Sequence, residues 1–512
     1  MNRRIQVNQL RAGVFISYIN LGLSCIIPLL YTPIMLRMLG QAEYGLYSLA
    51  HSVISYLTLL TFGFGSTIIR YISKYRAENN QEAVKRTFGF FLQLYILLGV
   101  LVLIVGFVVS NNVEPIFQRG LTENEIDKVH ILIIIMSINT ALSFPVSVFS
   151  SIITSYERYV FRKLVDMLST VAAPLFNLIA LYLGYASVGM CVASTILQLL
   201  MLPINMVYCF KVLNVKPKFK KIPFVLFKEM VGFSFYVFLA TLVDMLFWST
   251  DKVILGMLAS STAVAIYNVG GTFNNMIISL STSISGVLTP KITGMVIKNA
   301  TKEQLTELFV RVGRLQYFII ALIGTGFAVF GQAFILLWAG ADYADAYWIA
   351  ILTMFPLCIP LIQNTGLSIV VAQNKHKFRS LVYLVIAIVN VISTYLVVPY
   401  WGGGGAALCS CVSYLVGQGL IMNIYYYKVT GINIPLFWRN IGKMSVVPGI
   451  MLVCGLFLIQ KIKLDSWFLF LGFVVIYAAL YCIFMYKITL NQYEKDVVRK
   501  PLRKIMKRLK LK

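Results

Sequence analysis

Four ionisable residues lie inside or directly beside long apolar runs of this chain: Arg70, Asp244, Asp251 and Lys252. A charge within hydrocarbon is costly, so such residues commonly face a water-filled path or pair with one another. A carboxylate at that depth could bind a proton or Na⁺, and a cation could bind an anionic group. Ordinary charges at helix ends and structural ion pairs remain open as alternatives.

The helix predicted to contain both acids determines where their side chains lie relative to each other. Asp244 and Asp251 are seven residues apart, which is two helical turns, so a continuous helix would present both on one face. Asp244 is the deeper of the two, and we expect it to bind a proton or Na⁺ or to pair with a cation of the facing half. Arg70 follows Gly63-Phe64-Gly65, where we expect a kink.

Two doubled amides form a second group of candidates. Asn274–Asn275 and Gln363–Asn364 each place two adjacent amide side chains within an apolar run. Packing alone rarely satisfies both members of such a pair, so we expect them to line a polar path and bind its ligand. The alternative is that these amides join neighbouring helices by hydrogen bonds.

Other kinds of chemistry find little support in the sequence. The 8 cysteines lie in apolar runs without a CxxC pair, and the 3 histidines are far apart, so we predict no metal site and no cofactor. The longest predicted outer loop, 111–128, shows no paired carboxylates suited to acid–base work. We therefore predict no catalytic residues and no enzymatic activity.

Composition indicates whether this chain is soluble or embedded in a membrane. Of 512 residues, 59% are hydrophobic and 12% charged, whereas globular proteins average about 45–50% apolar and about 25% charged residues. The chain is therefore predicted to be an all-α integral membrane protein. Fourteen runs are long enough to span, at 13–36, 44–69, 88–110, 129–153, 166–184, 187–210, 229–250, 263–289, 315–337, 347–372, 380–400, 404–427, 444–460 and 466–486.

The basic residues predict the orientation of these spans. With the N-terminus in the cytoplasm, 38 of the 44 Lys and Arg fall in segments on the inner side, which is a strong positive-inside bias. Both termini are thus predicted to be cytoplasmic, in a multi-pass protein of a bacterial inner (plasma) membrane. The net charge of +25 reflects this topology and attraction to anionic lipid, and it does not indicate nucleic-acid binding.

A duplicated segment predicts two structural halves. "SIITSYERYVFRKLV" (151–165) and "SIVVAQNKHKFRSLV" (368–382) share six of fifteen residues, and each covers a short basic loop. Six spans separate the copies, so we predict parallel six-helix bundles with a substrate site near the midplane between them. The predicted parts are bundles at 1–212 and 229–428, a basic loop at 213–228, two extra spans within 429–486 and a basic cytoplasmic tail at 487–512.

Two motifs carry a family resemblance. In "PIMLRMLGQAEYGLYSLA" (33–50), the Leu-Gly-x-x-Glu-Tyr-Gly-x-Tyr pattern resembles the N-terminal signature of the polysaccharide-exporter branch of the multidrug/oligosaccharidyl-lipid/polysaccharide superfamily. "TDKVILGMLASSTAVAIYNVG" (250–270) resembles the Asp-Lys/Arg…Gly…Tyr segment of the same family. Its members are the flippases of O-antigen and capsule repeat units. Resemblance implies a MATE-like fold of two six-helix bundles plus two C-terminal helices, fourteen spans in all.

The resemblance also implies a function. Such a protein translocates polyprenyl-diphosphate-linked oligosaccharide from the cytoplasmic to the outer leaflet by alternating access, coupled to an H⁺ or Na⁺ gradient and not to ATP. Arg70 would then receive the diphosphate, and Asp251–Lys252 would form an extracellular gate. Expected partners are this lipid-linked substrate, membrane lipids and polysaccharide polymerase machinery. A small-molecule or drug exporter and a peptidoglycan-precursor flippase remain alternatives.

Overall fold

The computed structural model describes residues 3–220, 223–373, 375–462, 464–496 and 499, and its secondary structure is helical, with no strand among these residues. The fold class predicted from composition is thereby confirmed. The helices are α1 Arg3–Leu39, α2 Gln41–Leu57, α3 Phe64–Ala77, α4 Gln81–Asn111, α5 Val113–Phe117, α6 Glu123–Ser155, α7 Tyr159–Tyr182, α8 Ala186–Val207, α9 Phe224–Trp248, α10 Thr250–Leu258, α11 Ser261–Ile297, α12 Lys302–Trp338, α13 Ala346–Ile362, α14 Asn364–Ala372, α15 His376–Tyr414, α16 Met422–Tyr425, α17 Ile434–Ile459 and α18 Trp467–Phe484.

Side-chain caps fix where several of these helices begin. Capping boxes start α6 at Thr122 and α12 at Thr301, in each case with an acid or amide three residues later. The side chain of Asn80 accepts from the backbone N–H of Ala83 at 3.0 Å and caps α4. These contacts satisfy N–H groups that the first helical turn leaves without a partner.

The chain forms two compact units. The first unit contains Met1–Asn268 and Ala387–Ala406, and the second contains Val269–Ile386 and Ala407–Lys512. Helices α11 and α15 therefore contribute to both. These units are defined by contacts within the structure and not by the sequence repeat. The bundle boundaries predicted from the repeat, 1–212 and 229–428, therefore stay a prediction.

The first unit is centred on α4 and α6. Their facing aromatic side chains are almost fully buried, and Phe88 meets Phe149 edge-to-face with ring centroids 5.6 Å apart. Farther along, a Cβ on Gly106 would lie 2.0 Å from the hydroxyl of Ser137. Small residues at this crossing let the two backbones approach closely, as is common between membrane helices.

The second unit is centred on α12, which packs against α13, α17 and α18. Met444 and Tyr481 are completely buried in the cluster between α12, α17 and α18. Tyr481 also donates to the carbonyl oxygen of Phe318 at 2.9 Å, which satisfies its hydroxyl. In contrast, Phe468 of α18 is 87% exposed. An outward apolar surface of this kind is suited to lipid.

Fewer spans pass a length and hydropathy test than the fourteen predicted. Eleven of the described helices pass, or twelve if the bent pair Ala346–Ile362 and Asn364–Ala372 is one span. One of the eleven, Phe378–Thr430, has 53 residues, or about 80 Å of helix against about 30 Å of hydrocarbon. Gly402 interrupts it with φ 52° and ψ −137°, between the predicted spans 380–400 and 404–427. The predicted span 263–289 lies in α11, which is not among the eleven and carries many Ser, Thr and Asn residues.

Two other expectations from the sequence have clear outcomes. A kink does follow α2, where Phe62 and Gly63 adopt left-handed backbone angles (φ 51° and 69°) before α3 begins at Phe64. The charged segments 77–86 and 299–312 are amphipathic in sequence, which predicts a short helix on the inner surface for each. Most of each segment is instead the first part of α4 or α12. Most of the predicted basic tail, 487–512, lies outside the described residues.

Candidate functional site

The helix expected to carry both acids is interrupted between them. α9 ends at Trp248, Ser249 is a turn residue, and α10 begins at Thr250. Asp244 is exposed on α9, whereas Asp251 at the start of α10 has no exposed surface. That the two carboxylates share one helix face stays a prediction, and their exposure differs.

Asp251 is the most deeply buried of the predicted site residues with a charge. Its carboxylate accepts a hydrogen bond of 2.5 Å from the hydroxyl of Tyr267 and one of 3.3 Å from Thr394. These donors come from α11 and α15, so the carboxylate joins three helices of the first unit. Donors are what a buried carboxylate requires to remain charged.

Lys252 points into a different set of polar groups. Its ammonium donates to Oδ1 of Asn268 at 3.2 Å. The amide nitrogen of Asn268 in turn donates to the hydroxyls of Tyr44 at 2.6 Å and Ser48 at 3.1 Å. A polar chain thus runs from α10 through α11 to α2, and we name these four residues the Lys252 network. Lys252 itself is partly exposed.

The interruption at Ser249 also docks against α2. The hydroxyl of Ser55 donates to Ser249 at 3.1 Å, and Tyr56 forms a short hydrogen bond with Thr250. These contacts fix the start of α10, and with it the adjacent Asp251 and Lys252.

Arg70 lies apart from this network. It is an exposed residue of α3, and its guanidinium lies 4.5 Å from the ring centroid of Phe233 on α9. This cation–π contact orients the side chain without neutralising it. An anionic ligand could therefore still bind to it.

The two members of each doubled amide lie in different environments, although both were expected to line a polar path. In each pair the first member is buried and joins helices: Asn274 donates to Thr353 at 2.9 Å, and Gln363 donates to Asn423 at 2.8 Å. The second members are less buried. Asn275 is exposed, and Asn364 donates to the hydroxyl of Ser281 at 3.3 Å. Asn274 and Gln363 thus link helices of the second unit, which leaves Asn275 and Asn364 as the accessible amides.

The Glu-Tyr-Gly motif of residues 43–45 has a structural role at the start of α2. The carboxylate of Glu43 forms an ion pair of 2.5 Å with Lys128 of α6. It also accepts a hydrogen bond of 2.5 Å from the hydroxyl of Ser187 on α8. Arg37 and Glu43 flank the predicted outer turn between the first two spans, where they could pair, but the described contacts do not include this pair. A Cβ on Gly45 would lie 1.9 Å from the carbonyl oxygen of Ser261. The motif therefore docks α2 against three other helices.

Several residues of the site were not named as candidates from the sequence. Tyr267, which is the tyrosine of the Asp-Lys/Arg…Gly…Tyr segment, and Thr394 hold Asp251. Ser281 links Asn364 to Gln316, whose amide donates to it at 3.3 Å. A lone Thr or Ser in an apolar helix is a weak signal. No group of three or more His, Cys, Asp or Glu suited to a metal ion occurs among the described residues.

Comparison with known proteins places this geometry in a family. The profile of the polysaccharide biosynthesis protein family matches residues 10–296, more than half of the chain. The chain belongs to the polysaccharide biosynthesis protein family. A curated relative, an uncharacterized membrane protein of Methanocaldococcus jannaschii, is 23% identical over 488 residues, covering 91% of this chain and 93% of the relative.

Solved structures share the fold of this family member. The lipid II flippase MurJ, in an inward closed conformation, aligns with a TM-score of 0.73 at 15% identity, over 93% of this chain and 98% of that one. An inward-facing multidrug resistance MATE family transporter of the MOP superfamily aligns with a TM-score of 0.62 at 14% identity, over 78% and 96%. The resemblance drawn from residues 33–50 and 250–270 is confirmed by the family match, and the fold is shared with the flippase and the transporter. The chain is a multi-pass membrane protein of the polysaccharide biosynthesis protein family.

Proposed function

We propose that this protein is a flippase that moves polyprenyl-diphosphate-linked oligosaccharide repeat units from the cytoplasmic to the outer leaflet of a bacterial plasma membrane. The observation that carries the proposal is the family match over residues 10–296, which ties the chain to polysaccharide biosynthesis. The fold shared with a flippase over 93% of the chain supports it.

The substrate explains why cations are needed inside an apolar protein. Its polyprenyl tail can remain in lipid, but the diphosphate cannot cross about 30 Å of hydrocarbon without polar partners. Arg70 and Lys252 are cations of the first unit that keep accessible surface. We assign Arg70 to the first contact with the diphosphate, at the predicted cytoplasmic end of α3, and Lys252 to a later contact toward the predicted outer end.

The acids and amides take the remaining roles in this proposal. The exposed carboxylate of Asp244 binds the coupling H⁺ or Na⁺, whereas buried Asp251 holds α10 in position beside Lys252. Asn275 and Asn364, the accessible members of the doubled amides, bind sugar hydroxyls. Transport then follows from alternating access driven by the ion gradient, and polymerase machinery at the outer surface receives the repeat unit.

Two other substrates are favoured by specific observations. The likeness to the lipid II flippase favours a peptidoglycan precursor, and the likeness to a multidrug transporter favours a small-molecule exporter. Both would use the same fold. The repeat-unit substrate is preferred because the family match concerns polysaccharide biosynthesis.

Deletion of the gene tests the proposal directly. Lipid-linked repeat units should accumulate, and a membrane-impermeant glycosidase should reach them only after the cytoplasmic face is exposed. Wild-type protein supplied on a plasmid should restore surface glycan. Increased drug sensitivity with normal surface glycan would instead identify an exporter, and arrested peptidoglycan synthesis would identify a precursor flippase.

A further inference from the structure

A polar cavity lies within the first unit, away from both Asp251 and the Lys252 network. It is open on one side, has a volume of about 420 Å³ and is lined by residues of α3, α6, α7 and α8 near the loop that joins α6 to α7. This is within the range of about 300–1,000 Å³ typical of small-molecule sites. One wall is a stripe of hydroxyls on α6, formed by Ser143, Ser147, Ser150, Ser151 and Thr154. Their spacing places all five on one helix face.

The direction of the hydrogen bonds on α6 limits what can bind there. Ser147, Ser151 and Thr154 each donate to a backbone carbonyl three or four residues earlier, at 2.7, 2.8 and 2.9 Å. A hydroxyl has one proton and two lone pairs, so these groups have used their donor and retain acceptor capacity. The stripe therefore favours a ligand that donates hydrogen bonds.

Charge in the cavity is balanced. Arg162 of α7 contacts Asp166 at 2.9 Å and donates to the hydroxyl of Ser150 at 2.8 Å. Because Arg162 is already paired with a carboxylate, it is poorly placed to capture a diphosphate. Asp166 is likewise within 3.8 Å of Lys163, which disfavours an added cation. A neutral ligand fits this balance best.

A buried amide of α8 also lines the cavity. Asn205 lines the cavity and is completely buried, and its nitrogen donates to the carbonyl of Met201 at 2.9 Å. Its Oδ1 has no hydrogen-bond partner among the described residues. A buried acceptor without a partner is costly, and a ligand hydroxyl that reached this oxygen from the cavity would satisfy it.

The cavity also offers apolar contact beside these acceptors. Val165 and Met201 line it and belong to a buried cluster with Leu197. A pyranose ring has hydroxyls around its edge and C–H groups on its faces. Acceptors on α6 and α8 with an apolar patch between α7 and α8 match that distribution.

We infer that this cavity binds a neutral sugar ring, as a glycan subsite in the half of the first unit predicted to face the cytoplasm. The inference deepens the proposed function and rests on it in one respect, since the sugar held here would be part of the lipid-linked oligosaccharide. Diphosphate and polyprenyl chain would be held elsewhere, which leaves the cavity to recognise the glycan.

Binding of free sugars to the full chain in lipid nanodiscs tests the inference. Saturation-transfer difference NMR would be recorded with glucose, galactose and N-acetylglucosamine, with choline as a cationic probe and pyrophosphate as an anionic one. We expect transfer to at least one sugar, reduced at least fivefold by the double variant Ser147→Ala/Ser151→Ala and by Asn205→Leu. The matched control is Ser137→Ala, since Ser137 is a buried serine of the same helix with the same kind of backbone hydrogen bond, outside the cavity.

Each outcome decides between the cavity and the proposed function. Absence of sugar transfer, transfer equal in all variants, or transfer only to choline or pyrophosphate would overturn the inference. Flipping of lipid-linked oligosaccharide at the wild-type rate in the folded double variant would also overturn it, while leaving the flippase intact. Sugar binding that depends on Ser147 and Ser151, without any movement of lipid-linked oligosaccharide, would instead overturn the flippase and keep the cavity. Unfolding of one variant leaves the other to decide.

Discussion

Arg314 and Glu494, 180 residues apart in sequence, form a buried two-pronged ion pair. The guanidinium Nε lies 2.6 Å from Oε1, and Nη2 lies 2.9 Å from Oε2. Exposure of these residues is only 6% and 1%. Arg314 also donates to the carbonyl of Thr489 at 3.0 Å, so α12 is tied to the segment that follows α18.

Removal of one partner should destabilise the protein strongly. Glu494→Ala leaves a buried guanidinium without its counter-charge, which typically costs about 3–5 kcal/mol. We expect a large fall in the Tm of the purified protein, measured by intrinsic fluorescence in detergent. Glu307→Ala is the matched control, because Glu307 pairs with Arg311 on the exposed surface at 2.6 Å, where such pairs contribute about 0.5 kcal/mol or less. Equal Tm values for the two variants would contradict the structural role of the buried pair.

The contacts of Asp251 predict a graded response to substitution. Asp251→Ala removes the acceptor of two buried hydroxyls and should lower the Tm more than Tyr267→Phe. The latter deletes one hydrogen bond and should cost about 1–3 kcal/mol, because hydrogen bonds to charged groups are the stronger ones. Thermal unfolding of both variants measures the difference. If Asp251→Ala unfolds at the wild-type temperature, the carboxylate does not hold the three helices together.

Gly45 should not tolerate a side chain. Its Cβ would lie 1.9 Å from the carbonyl oxygen of Ser261, so Gly45→Ala must move α2 away from the start of α11. Overpacking of this kind typically costs about 1–3 kcal/mol. Gly232→Ala on α9 is the control, because a Cβ there meets nothing within 4 Å. Size-exclusion profiles and Tm values should show a defect for Gly45→Ala alone, and comparable behaviour would argue against the close approach.

Lys252 should matter for transport more than for folding. It is partly exposed and has one described hydrogen bond, to Asn268, so Lys252→Met should fold while losing the cation assigned to the diphosphate. We expect at least a tenfold loss of flipping in liposomes that contain labelled polyprenyl-diphosphate oligosaccharide. Lys252→Arg should retain part of the activity, and Lys461→Met, at an exposed position near the end of α17, should retain all of it. Full activity of Lys252→Met would remove Lys252 from the substrate path.

The site shows which kinds of inference the sequence could carry. Asp251 and Lys252 were found because a charge in an apolar run is conspicuous whatever the fold. Their environments could not be found in this way, because the complete burial of Asp251 and the exposure of Asp244 depend on which helices pack around each residue. Tyr267 belongs to the Asp-Lys/Arg…Gly…Tyr segment, but only packing shows that it and Thr394 bind the Asp251 carboxylate.

The amino-acid sequence by itself determined that this protein lies in a membrane, that it is helical and which family it resembles. The length of the hydrophobic runs and the placement of Lys and Arg depend on the thickness and orientation of the membrane. They therefore predict membrane spans and topology without knowledge of which helices are in contact. Tertiary structure decided which polar groups are satisfied and which are left open. Arg314 pairs with Glu494, and Asn205 lines the same cavity as the serines of α6, although these residues are far apart in the chain. Local pattern does not encode these arrangements, because their energies depend on distance in space and on the exclusion of water.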